Sequence, residues 1–148
     1  KKNPVTLKLL SSADVIILNS RWGYKTDFQS IVNYIKNNSS GKIIIISRIP
    51  LFRDIPYLHV QYDNNLNYIA NATRDKEVDL LNQKIKKDTE ILNVEYFDRT
   101  KLACEPSKCI VKDNNNLLYS DTDHWSKDGA IFYGKRLYDY GFLDLIKK

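Results

Sequence analysis

Residues 42–47 read KIIIIS, and this stretch decides the fold class. Four consecutive isoleucines make it the strongest strand signal in the chain, since β-branched side chains suit the pleated sheet. A run that is apolar at successive rather than alternate positions fits a strand covered on both faces. Pro50, in the following RIPLFRDIP, stops it because proline lacks the N–H that a ladder needs. Upstream, Thr26 or Asp27 can cap a helix whose apolar positions Phe28, Ile31, Val32 and Ile35 follow the i, i+3, i+4, i+7 rule, with residues 37–41 ending it. Residues 14–19 are a second short apolar run, expected as a central parallel strand.

Downstream, residues 50–72 read as a long loop. Residues 74–88 carry Val78, Leu81 and Ile85 on one helical stripe, and residues 94–97 resume as a strand. The last helix is expected after Ser126, a good N-cap, with Asp128 in its first turn, where the helix dipole favours an acid. Ala130, Tyr133, Gly134 and Leu137 are expected to turn inward, and the helix to end near Gly141. Strands alternating with helices predict an α/β fold, a three-layer α/β/α sandwich around a mostly parallel sheet. In such folds functional groups gather at the carboxyl ends of the strands. Residues 19–22 and 47–50 lie at such ends.

The 148 residues, 43% hydrophobic and 28% charged, suit one compact domain over residues 1–148. No run approaches the roughly 18 apolar residues of a membrane span, and the opening KKNPVTLKLL lacks the features of a signal peptide. The net charge of +5 is scattered, apart from Lys84, Lys86 and Lys87. Aromatic residues are not interleaved with that cluster, so a solvated helix face is preferred and no nucleic-acid partner is expected. Cys104 and Cys109 could close a small loop; disulfide and free thiols both stay open, the disulfide preferred and pointing to an oxidising compartment. No zinc site is expected, because His59 and His124 are the only histidines and offer no second ligand pair at a familiar spacing.

The chemistry concentrates in DTDHWSKDGA, residues 121–130. Asp121 stands three positions before His124 and can hold one imidazole nitrogen as N–H, leaving the other to take a proton from a hydroxyl. This is half of a hydrolytic triad. No serine lies in a GxSxG or Gly-Asp-Ser elbow. Ser20 and Ser47 sit near strand ends but lack the Gly-flanked turn that exposes a nucleophile. The plainer alternatives make His124 a capping or buried histidine, Asp121 and Asp123 ordinary loop carboxylates, Asp123 above all, and Tyr119 a structural residue.

The segment YSDTDHWSKDGA resembles the last conserved block of the SGNH hydrolase superfamily, in particular of SGNH domains attached to acyltransferase-3 type membrane O-acyltransferases. Tyr119, Asp121, His124, Ser126, Gly129 and Ala130 match that block, with Trp125 in place of its usual leucine. Cys104 with Cys109, the RIP after the isoleucine run, and Arg21 with Trp22 are also similar to that branch. The resemblance implies a flavodoxin-like fold, with Asp121 orienting and His124 acting as general base and then general acid. It implies no cofactor. Its partners would be an acyl donor, with acetyl the expected group, and a carbohydrate acceptor on a bacterial surface polysaccharide such as lipopolysaccharide. The location would be periplasmic, tethered to the inner membrane.

The family's Gly-Asp-Ser block and oxyanion glycine have no counterpart in residues 1–13. The expectation is therefore the C-terminal part of a longer domain, its first strand and nucleophilic serine supplied from upstream, next to a membrane acyltransferase domain. The family's third block, Gly-x-Asn-Asp, falls on residues 19–22 and puts Arg21 in the slot of the asparagine that donates to the oxyanion. Arg21 and Trp22 are thus candidates for oxyanion or substrate binding, against a packing role for both. A catalytically inactive carbohydrate-binding or accessory module with the same fold is the alternative reading.

Overall fold

A computed structural model describes residues 4–147. After helix α1 (Pro4–Ser12), strands β1 (Val15–Leu18), β2 (Lys42–Ile46) and β3 (Glu95–Phe97) form a parallel sheet in the order β1-β2-β3. Val15 lies opposite Lys42 and Ile44 opposite Glu95. Helix α2 (Phe28–Lys36) links the first two strands, capped by Asp27, whose carboxylate accepts from Ser30 N–H. Helix α5 (Lys76–Leu92) precedes β3, capped by Asp75 and closed by Asn93 in the left-handed conformation.

The isoleucine run divides by its period of two. Ile43 and Ile45 pack with Trp22, Phe28, Val32, Leu81 and Ile85 beneath α2 and α5. Ile44 and Ile46 join Phe97, Leu102, Leu118, Tyr119 and Tyr133 on the other face. Two cores on two faces of one parallel sheet make the expected three layers. Lys86 and Lys87 are exposed on α5 and Lys84 pairs with Asp88 one turn on, a solvated helix face. Among the described residues no helix is long and apolar enough to cross a membrane.

The structure corrects several expectations. Residues 50–72 are not a loop: α3 (Ile55–Tyr62), a 3-10 turn (Asp63–Asn65) and α4 (Leu66–Thr73) fill most of the segment. Pro56 stands in the first turn of α3, where the missing N–H has no intrahelical partner to lose, and Asp54 caps it by accepting from Tyr57 N–H. The second predicted helix begins later and runs longer, over Lys76–Leu92. β2 is the central strand, while β1 lies at the sheet edge with no strand on its outer side among the described residues.

The helix expected after Ser126, α7, spans Lys127–Asp139, after α6 (Thr100–Ala103) and the hairpin of β4 (Lys112–Asp113) and β5 (Asn116–Leu117), and it is followed by one more helix rather than being the last. Tyr133 is buried as expected, but Gly129 rather than Ala130 turns inward, and Ala130 and Gly134 are exposed. Ser126 fixes that register: its Oγ accepts from Gly129 N–H and holds Gly129 against the body of the fold. Gly141, at φ 73°, then turns the chain into α8 (Phe142–Ile146).

Candidate active site

The His124 loop is a turn pinched at its base. An antiparallel bridge pairs Tyr119 with Trp125, and Ser120 N–H donates to His124 O at 2.9 Å. Within the turn, Asp121 Oδ1 accepts from the backbone N–H groups of Asp123 and His124 at 2.9 and 2.8 Å. Aspartate suits this position because its short carboxylate can reach its own downstream backbone. The same carboxylate meets His124 Nδ1, with Oδ2 at 2.8 Å and Oδ1 at 3.1 Å. One side chain therefore builds the turn and orients the ring.

Two contacts tie the turn to the scaffold. Phe52 N–H, from the segment after β2, donates to Thr122 O at 3.0 Å. Ser126 Oγ donates to Leu117 O at 2.6 Å while it caps α7. Gly129 approaches so closely that a Cβ there would lie 1.8 Å from Leu118 O, so only glycine fits. Tyr119 is buried beneath, edge-on to Phe52 and Tyr133, which makes it a packing residue.

His124 stands at the mouth of a cleft of about 320 Å³, shared with Asn19, Ser20, Arg21, Arg48 and Arg99. These residues follow the carboxyl ends of β1, β2 and β3, where an α/β sheet places its functional groups. The imidazole is 71% exposed, and its Nε2 makes no hydrogen bond within the described residues. The hydrogen bond and charge of Asp121, with Asp123 adding, hold its pKa above the ordinary histidine value, and Arg21 opposes them. Asp121 is pulled down to about 2 by the N–H groups of Asp123 and His124 and by the imidazole, so it is a carboxylate throughout the physiological range.

Asp123 is more than a loop carboxylate. Its Oδ2 pairs with Arg21 at 3.2 Å and its Oδ1 lies 3.3 Å from His124 Nδ1, linking the end of β1 to the histidine turn. Its only signal in the sequence is its place next to His124. Donor atoms of Asp121, Asp123 and His124 lie within 4.8 Å of one another, the grouping here that could converge on a cation.

The other predicted residues fall in different places. Arg21 is in the cleft, whereas Trp22 is buried against Phe28 and donates its indole N–H to Ile46 O at 2.7 Å. Ser47 is fully buried, with Oγ accepting from Arg99 N–H, which leaves it unable to attack a substrate; Ser20 lines the cleft. Cys104 and Cys109 are joined in a disulfide that closes a small loop, with Glu105 N–H donating to Lys108 O inside it.

Residues 3–139 match the model of the SGNH domain fused to AT3 domains. The chain belongs to this family. No curated protein sequence matches it. Among solved structures, this SGNH domain is similar to the lipopolysaccharide acetyltransferase periplasmic domain of Salmonella ser. Paratyphi A. The TM-score is 0.67 and the identity 17%, over 90% of this chain and 57% of that one. At that identity the likeness establishes a shared fold. The chain thus spans little more than half the length of the domain it matches.

Proposed function

We propose that this SGNH domain catalyses acyl transfer on a bacterial surface polysaccharide, with His124 as proton carrier and Asp121 as its orienting carboxylate. The single observation that carries the reading is the Asp121–His124 pair: Oδ2 sits 2.8 Å from Nδ1, and Nε2 is left free on an exposed ring at the cleft. In that tautomer Nε2 is the acceptor, so it can take a proton from an attacking hydroxyl and return it to the leaving oxygen. Membership of a family fused to AT3 domains supports acyl chemistry, and the fold shared with a lipopolysaccharide acetyltransferase domain supports a glycan acceptor in the periplasm.

The nucleophile in this reading is a serine from a segment upstream of Lys1, carried on a strand that pairs with the outer edge of β1. Its hydroxyl would lose its proton to His124 Nε2 while attacking the acyl carbonyl. The resulting acyl-serine would pass its acyl group to a sugar hydroxyl activated by the same nitrogen. In this reading Arg21, which lines the cleft at the end of β1, would donate to the oxyanion that forms between these states.

Turnover of a simple acetyl ester by the complete protein tests the assignment. His124→Ala is expected to lose about 10³-fold or more in kcat with folding unchanged, since the ring is exposed. Asp121→Asn combined with it should add little, because members of one catalytic unit are not additive. Retention of more than about a tenth of wild-type turnover in His124→Ala would sink the reading in favour of a non-catalytic glycan-binding module.

A further inference from the structure

Arg48 and Arg99 follow neighbouring parallel strands and line the same cleft as His124. Two of the three buried polar residues of the described chain, Ser47 and Asn82, are devoted to placing them. Asn82 clamps the Arg48 backbone from both sides, its Oδ1 accepting from Arg48 N–H and its Nδ2 donating to Arg48 O, each at 3.0 Å. Ser47 fixes Arg99: Oγ accepts from Arg99 N–H, and the Ser47 carbonyl accepts from Arg99 Nε, both at 2.8 Å.

Neither guanidinium has a carboxylate partner among the described residues, whereas Arg21 pairs with Asp123 and Arg74 with Asp79. The acids of the cleft are already engaged, Asp121 by the histidine turn and Asp123 by Arg21 and His124. Burial, with the neighbouring Arg48 charge, pulls the Arg99 pKa below its ordinary value. Holding two half-buried cations side by side without a counterion is unfavourable unless a ligand brings the negative charge. Neutral sugar hydroxyls bring none. The planar fork of arginine matches the paired oxygens of a carboxylate or phosphate.

Building on the acyl-transfer reading of the cleft, we propose that Arg48 and Arg99 bind an oxyanion, a carboxylate or phosphate group, on the acceptor glycan. The acceptor would then be an acidic or phosphorylated sugar, held by its anion beside His124 while a hydroxyl of the same glycan receives the acyl group.

Equilibrium binding of glucuronate, glucose 6-phosphate and glucose to the complete protein tests this, by calorimetry or by shifts of cleft amide resonances. At least one charged sugar is expected to bind about tenfold or more tighter than glucose, and which one does so separates carboxylate from phosphate. Arg48→Gln and Arg99→Gln should each remove that preference. Should these variants fail to fold, Arg48→Lys and Arg99→Lys keep the charge and lose the fork, and are expected to weaken binding of the charged sugar selectively. Added salt should weaken it in the wild type as well.

Equal binding of all three sugars, or an undiminished preference in the arginine variants, overturns the proposal. Because the readout needs no turnover, it stands or falls separately from the His124→Ala experiment.

Discussion

His124 and Asp121 both face solvent, yet their protonation is tied together by direct contact rather than by burial. The carboxylate favours the charged imidazole and lifts the His124 pKa, while Arg21 opposes it. A raised pKa keeps the ring protonated to a higher pH than a free histidine, and a protonated ring cannot accept a proton. The base form is therefore present above that pKa and lost as pH falls through it, and in the proposed reaction turnover should follow it. Titration of the His124 ring followed by NMR should give a midpoint above 6.5. It should fall in Asp121→Asn, where the largest cause of the shift is removed, and rise in Arg21→Gln. An unchanged midpoint in Asp121→Asn would contradict the contact. The Asp121–His124 pair was legible in the sequence because both residues belong to one turn. The bridging role of Asp123 was not, since it depends on Arg21 arriving from the end of another strand. Trp22 had two open readings until the sheet placed Ile46 O beside its indole.

At the scale of elements, the site depends on how tightly the histidine turn is pressed onto the start of α7. Gly129 packs against Leu118, just before the turn begins, and a methyl group there meets the Leu118 carbonyl, which no rotamer change can move aside. Gly129→Ala is expected to destabilise the fold by about 3 kcal/mol, at the upper end of ordinary overpacking, and to displace the turn carrying His124. Chemical denaturation measures the first effect, and the His124 ring titration the second. Gly134→Ala is the control: it lies in the same helix with nothing within 4 Å of a Cβ, so it should leave the His124 turn in place and stabilise the helix by about 0.5–1 kcal/mol. The isoleucine run, α2 and the Ser126 cap were readable because each rests on a local pattern or a single capping side chain. α3 and α4 were not. Their buried residues, Ile55 and Leu58 in one and Leu66 and Ala70 in the other, are split by a 3-10 turn, so neither shows a long helical period. The prolines around them read as breakers, although Pro56 sits where a helix tolerates it.

For the whole molecule, the open β1 edge of the sheet is the feature that bears on the site. β1 pairs with β2 on one side, leaves its other side without a strand among the described residues, and exposes Ile17 to 43%. Parallel strands are ordinarily covered on both faces and flanked within their sheet, and an open apolar edge invites further pairing. The His124 turn, Arg21 and the cleft gather at the carboxyl end of this same strand, so a strand added beside β1 would end next to them. Hydrogen exchange can test whether upstream residues supply it. In a parallel strand alternate N–H groups point to opposite neighbours, so about half of the β1 amides point away from β2. In residues 1–148 alone those amides should exchange quickly, while the ones paired with β2 stay protected. If the proposed upstream strand is present, both sets should be slow in the complete polypeptide, and the proposed serine at its end should come within hydrogen-bond reach of His124 Nε2. Equal protection of the outward amides in the two samples would mean that nothing pairs with this edge, and the nucleophile would have to be sought elsewhere.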